Sequence, residues 1–271
     1  MNARHQSAFV LFLSFLVLSL LGGCDKQTPA AKNKDSLEPK WETHIADYPK
    51  RWVAAEKPLF IRFSHPVVAL EKVNQPIEGI VELAPNLPAN ILFTADNELR
   101  ITPVDRLPNN TAIKVKLHGD KLLGIEKSLK AFEFEVHTIR QEFDLKIHGL
   151  VAQNNSPEKM EFSGELRTAD TAELDAVKKM IRATVNGKAA ELSWVQSTDR
   201  VTNSFVLKDI QREKDEGVLH VEWDGAALGS TDKGARDLQI PGLTDFNITG
   251  VEVVRQPSLY VEVNFSNPIN A

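Results

Sequence analysis

The sequence predicts an all-β protein built as two-layer sandwiches in series, and three observations predict it. From Arg51 onward, apolar and polar residues alternate through one short run after another, which puts one side of each run in a core and the other in water. The 14 Pro and 14 Gly are spread along the chain rather than clustered, as turns between many short strands require. The phrase Phe63-Ser64-His65-Pro66-Val67 returns as Phe265-Ser266-Asn267-Pro268-Ile269, an offset of 202 residues (265 − 63). Two blocks of about half that length each would account for the offset.

The chain opens MNARHQSAFVLFLSFLVLSLLGGC. Arg4 and His5 precede an apolar run from Ala8 to Leu21, the form of a secretory signal peptide. That run falls short of the ~20 residues of an ordinary membrane span. Cys24 is the only cysteine of the 271 residues, so neither an internal disulfide nor a cysteine-based metal site can form. Leu21-Gly22-Gly23-Cys24 resembles a bacterial lipobox, in which small residues precede a cysteine that is acylated and becomes the mature N-terminus; the alternative is an uncleaved anchor helix. The resemblance implies a lipoprotein signal peptide over 1–23 and attachment to the lipid bilayer through acylated Cys24. It also implies sorting by Asp25, whose position next to the cysteine points to the periplasmic face of the inner membrane, with the outer membrane as the alternative. Residues 24–50 are polar and aperiodic and read as a flexible tether.

The first sandwich is expected over 51–139. Its strands are Leu59–Phe63, Gly79–Leu83, Asn90–Phe93, Leu99–Pro103, Thr111–Leu117 and Ala131–Thr138, with prolines between runs or at their ends. The second is expected over 140–243. Phe143–Leu150 and Met160–Leu166 open it, and a short amphipathic helix follows, with apolar residues at 174, 177 and 181 and Asp170 or Thr171 as its N-cap. Thr184–Leu192 is a hairpin turning at Asn186-Gly187, and Ser204–Leu207 and Val218–Trp223 are later strands. Residues 244–271 read as the truncated start of a third β module, because two strands alone bury no core; a longer natural polypeptide is the expectation.

The net charge of −5 supplies no basic field, which argues against nucleic acid as a partner. The seven histidines are scattered with no metal-ligand spacing and read as structural or surface residues. Ser64 and Ser266 lie outside any Gly-x-Ser-x-Gly elbow and read as turn formers. Arg212-Glu213-Lys214-Asp215-Glu216-Gly217 reads as a solvated charged loop, and Asp120 and Asp232 lack a Ca²⁺-loop pattern. Trp194 and Trp223 are expected in the second core. Trp41 and Trp52 are expected to pack as a plug on the first module, with partner contact as the alternative. No cofactor, metal site or catalytic residue is expected, so the chain reads as a non-enzyme.

The segments FIRFSHPV, LRITPVDRLPNNTAIKVKL and AFEFEVHT together resemble a bacterial Ig-like module, with Ile113 where an aromatic often stands. Joined to the lipobox and to a helix-bearing second sandwich opening FDLKIHGLV, they are similar to the N-terminal part of bacterial alpha-2-macroglobulin family lipoproteins. The resemblance implies tandem Ig-like (macroglobulin-like) sandwiches and the scaffold role in a periplasmic protease trap, an endopeptidase inhibitor whose targets are proteases. No thioester can form within this chain, which has no second cysteine. The other expectation is an adhesin-like or cell-wall-binding Ig-domain lipoprotein.

Overall fold

The computed structural model describes residues 38–153, 156–267 and 269. Cys24, Asp25 and the expected signal peptide lie outside the described residues. The fold is all-β, with tandem Ig-like sandwiches and one short helix in the second.

In the first sandwich, β1 (Ile45–Asp47), β3 (Leu59–Phe63), β5 (Ala89–Ala95) and β6 (Glu98–Pro103) form a four-stranded sheet in the order β1-β3-β6-β5. The facing sheet contains β2 (Arg51–Val53), β4 (Val81–Ala84), β7 (Ala112–His118) and β8 (Ala131–Thr138), in the order β2-β8-β7-β4. All neighbours are antiparallel except β2 and β8. Alternation does what the sequence predicts. Along β3, Leu59, Ile61 and Phe63 are buried while Phe60 and Arg62 face out. They meet Leu99 and Ile101 of β6 and enclose the core with Ile113, Val115 and Leu117 of β7.

The second sandwich repeats the plan. β9 (Phe143–Ala152), β10 (Lys159–Thr168), β13 (Ser193–Gln196) and β14 (Thr202–Gln211) form one sheet, ordered β13-β14-β10-β9. β11 (Ile181–Val185), β12 (Lys188–Ala190), β15 (Gly217–Asp224) and β16 (Lys233–Ile240) form the other, ordered β12-β11-β15-β16. Its buried core members all come from 150–240, with Met160, Phe162, Leu166, Phe205, Leu219 and Val221 at its centre. The two sandwiches therefore have separate cores. Gly164 allows the close packing here, because a Cβ would sit 2.4 Å from the Phe205 ring and 2.7 Å from the Lys146 carbonyl oxygen. The turn between β11 and β12 has φ of 49° at Asn186 and 76° at Gly187, the two positive values that the Asn-Gly pair predicts.

Several expectations differ from the structure. Residues 38–50, expected as the end of the tether, are part of the folded body: a 3-10 turn at Pro39–Trp41 leads into β1, and Trp41 is fully buried against Phe132. Burying an indole outweighs the polar composition around it. Trp52, by contrast, is 59% exposed. The helix α1 is shorter than its apolar spacing suggests, Leu174–Lys178, with Glu173 rather than Asp170 or Thr171 at its N-cap and no side-chain cap. Ile181, read as a helical position, begins β11. Trp194 and Trp223 line the margin of the second core rather than fill it. Beyond the second sandwich, β17 (Ile248–Val254) and β18 (Tyr260–Phe265) pair as a two-stranded antiparallel sheet. Among the described residues, no helix is long and apolar enough to cross a membrane.

Candidate functional site: two polar joints between modules

Where the first sandwich meets the second, a buried carboxylate takes hydrogen bonds from both. Asp170 lies just after β10, and its backbone is held by Gln141, whose Oε1 accepts from the Asp170 N–H at 2.9 Å. Gln141 Nε2 donates back to the carbonyls of Asp170 and Thr171, at 3.1 and 3.2 Å. Thr168 Oγ1 donates to the Asp170 carbonyl at 2.7 Å. Aimed this way, Asp170 Oδ2 accepts the backbone N–H of Ala55 at 2.8 Å and the Asn109 side-chain amide at 3.4 Å. Ala55 and Asn109 belong to the first sandwich. Arg106, also of the first sandwich, donates to Thr171 Oγ1 at 2.8 Å and pairs with Glu56. Arg200 of the second pairs with Glu56 at 2.9 Å and with Glu173. The joint is thus a ladder of charge-assisted bonds about a buried carboxylate. Its geometry resists bending, because any rotation would strip Ala55 or Asp170 of a partner.

The second joint is built around Arg212, which directly follows β14. The sequence places it in a solvated loop, but the side chain is buried, at 5% exposure. Its guanidinium serves as a hub for backbone oxygens. Nε donates to Pro241 O at 3.1 Å, and Nη2 to Gly242 O at 2.6 Å and Asp245 O at 2.9 Å. Nη1 shares its hydrogens among Pro157 O at 2.6 Å, Ser266 O at 2.9 Å and Asn267 Oδ1 at 2.9 Å. Burial pushes the Arg212 pKa below its ordinary value, and the nearby Asp245 carboxylate opposes that shift. A planar fork of five donors can span the β9–β10 connection, the 241–245 linker and the end of β18 at once; an ammonium could not.

Ser266 completes this joint. It is buried, its Oγ accepts from the Asn247 N–H at 2.9 Å, and Asp245 O and Asn267 Oδ1 both lie 2.9 Å from it as acceptors. It is the turn former the sequence predicts, with a side chain that also seals the linker. On the outer side, Lys146 of β9 binds Glu252 of β17. Their mutual hydrogen bond is the largest influence on each, raising the Lys146 pKa and lowering that of Glu252.

The predicted histidines do not converge. His118 lies against Glu82, His137 against Glu135 and His220 against Asp237, while His44 and His65 share a ring-to-ring hydrogen bond of 2.9 Å. Among the described residues, no group of three or more His, Cys, Asp or Glu is arranged to hold a metal ion. Sequence reasoning missed Arg212 and the bridging role of Asp170. Arg212 was hidden among five charged or turn-forming neighbours, and Asp170 looked like a helix cap.

No family model matches the chain, and no curated relative does. Among solved structures, L,D-transpeptidase 3 from Mycobacterium tuberculosis is 11% identical with a TM-score of 0.25, and the alignment covers 46% of each chain, so the match spans about half of that enzyme. The L,D-transpeptidase from Mycobacterium smegmatis is 12% identical over 83% of this chain and 77% of its own, with a TM-score of 0.27. The N-terminal eight Ig domains of Down Syndrome Cell Adhesion Molecule are 11% identical over 71% of this chain and 26% of that one, with a TM-score of 0.21. None of these overlaps transfers an activity.

Proposed function

We propose that this chain is the non-catalytic N-terminal scaffold of a membrane-anchored, periplasmic alpha-2-macroglobulin-like protease trap. The observation that supports this reading best is the pair of polar joints. A chain that only displayed binding loops would not need a buried Asp170 and a buried Arg212 to fix each module against the next. A support that must hold a large body at a set height and angle does need them. The lipobox supplies the anchor: acylated Cys24 inserts in the bilayer, and several acyl chains hold firmly at about 0.8 kcal/mol per buried methylene. Asp25 directs the lipoprotein to the inner membrane.

Thirteen residues, 25–37, lie between the lipid attachment at Cys24 and Glu38, the first described residue. At no more than about 3.6 Å per residue, the body stands within roughly 50 Å of the bilayer. Cys24→Ser tests the anchor: the variant should move from the membrane to the soluble periplasmic fraction, and unchanged membrane association would refute the anchor. Incubating the natural full-length product with a protease tests the trap. Cleavage-triggered compaction is the expected result, and ordinary proteolysis with no change of shape would refute it.

A second reading, an adhesin-like or wall-binding lipoprotein, is favoured by Trp52, whose exposed ring lies 5.5 Å from that of His137. Such a surface suits a sugar face. Under this reading Trp52→Ala would abolish co-sedimentation with cell-wall glycan and leave membrane attachment intact.

A further inference from the structure

The hairpin β17–β18 repeats, bond for bond, a corner of the first sandwich. There, Ile45 of β1 is the register partner of Phe63 of β3, a bulge follows Ile45, and the Ser64 N–H donates to His44 O at 2.9 Å. Here, Ile248 of β17 is the register partner of Phe265 of β18, a bulge follows Ile248, and the Ser266 N–H donates to Asn247 O at 2.8 Å. β18 therefore stands to β17 as β3 stands to β1.

In the first sandwich the other edge of β3 is filled by β6, which sets Ile101 opposite Leu59, Arg100 opposite Phe60 and Leu99 opposite Ile61. Leu59, Ile61 and Phe63 are buried beneath it. Their counterparts in β18, displaced by 202 residues (261 − 59), are Val261, Val263 and Phe265. Val261 and Val263 are exposed, as are their cross-strand partners Val253 and Val251. Glu252, on the opposite face of the hairpin, is the residue bound to Lys146 of the second sandwich. The hairpin is thus docked by its polar face, and among the described residues no strand covers its apolar face or pairs with the outer edge of β18. Two strands with such a face are marginal by themselves, and an open edge is a template for another strand.

We infer that the free edge of β18, with the valine face it shares with β17, is an acceptor for one antiparallel β-strand that carries apolar residues at alternate positions and a cation between them. The backbone edge selects an extended chain, since only a strand can satisfy its alternating donors and acceptors. The valines select the alternate apolar residues. The cation is selected by Glu262, which occupies the counterpart position of Phe60 and so lies where β6 would place Arg100. The Leu99-Arg100-Ile101 segment of β6 meets all three requirements, so a strand of that chemistry is the partner. This inference goes beyond the protease-trap reading and stands without it.

The test uses the full chain, isotopically labelled, and a synthetic peptide of residues 96–105 (DNELRITPVD) as the probe. Saturable binding is expected, with amide shifts confined to β17 and β18 and exchange along β18 slowed about tenfold. A peptide carrying Leu99→Asn and Ile101→Asn should not bind. Glu262→Arg in the chain, an exposed position, should weaken binding of the parent peptide and restore it for a peptide carrying Arg100→Glu. Three results would overturn the inference: no shift in β18 at millimolar peptide, equal binding of the Asn-substituted peptide, or occupation of the same edge by a second copy of the chain.

Discussion

Replacing Arg212 with alanine should loosen the β17–β18 hairpin from the second sandwich while leaving both sandwich cores intact. The side chain supplies the donors for five backbone carbonyls, of Pro157, Pro241, Gly242, Asp245 and Ser266, and for Asn267 Oδ1. Each buried acceptor left without a donor costs about 1–3 kcal/mol. Water entering the vacated volume would recover part of that sum, so the net loss should lie near the cost of breaking a buried charged network, about 3–5 kcal/mol. For a folded body of this size, that lowers the melting temperature by about 6–20 °C. Arg212→Lys keeps the charge but not the fork, and should recover less than half of the loss. Differential scanning calorimetry reads the total, and hydrogen exchange resolves its place. Amides of β17 and β18 should exchange faster in the alanine variant, whereas those of β3, β6 and β7 should not. If Arg212→Ala melts within about 1 °C of the parent, as a neutral surface change would, and the hairpin amides are undisturbed, the clamp described here carries no load.

Three further outcomes follow from the same geometry. Asp170→Ala should cost about 1–3 kcal/mol by leaving the Ala55 N–H without its acceptor; equilibrium denaturation should show it, together with faster exchange at Ala55 itself. Trp41→Ala should destabilise the first sandwich by about 3–5 kcal/mol, because the indole is wholly buried and its removal leaves a large cavity; a surface tether would give almost no change. The Lys146–Glu252 tie has a pH window set by both partners. The Glu252 pKa is depressed, so its contribution is present above the ordinary glutamate value of about 4.3 and is lost as pH falls through the lower folded value. The Lys146 pKa is raised, so its contribution is complete below the ordinary lysine value of about 10.4 and is lost as pH rises through the higher folded value. The excess exchange protection that β17 amides lose in Lys146→Ala should therefore be constant across neutral pH and vanish only at the acid and alkaline extremes.

The strands were legible wherever one face is buried and the other wet. Ala131–Thr138 is a strand with the bounds the alternation gives it, and Leu59–Phe63 likewise. The strands that escaped notice lack that contrast. β16 lies at a sheet edge and buries only Ile240 fully, so its sequence KGARDLQI has too few apolar residues to show a period. β1 is three residues long, too short for any period. The joints were illegible for a different reason. A buried charge is recognised by what surrounds it in space, and the partners of Arg212 are backbone oxygens from residues 157 to 266, which leave no mark on side-chain pattern. Asp170 carried a local signal, helix capping, that pointed to the wrong use of the same carboxylate. The repeated Phe-Ser-x-Pro phrase, in contrast, reported a true structural repeat: in both copies the serine N–H donates to the carbonyl just before the neighbouring strand, Ser64 to His44 O and Ser266 to Asn247 O.

The central claim is that separate two-layer sandwiches are held in series at a fixed angle by buried polar joints. It is tested most directly by the distance between spin labels placed at Lys72 and Lys188, one exposed site in each sandwich, in a Cys24→Ser background. A single narrow distribution is predicted, broadening when Asp170→Ala is added. A distribution already broad in the parent, and unmoved by that substitution, would contradict it.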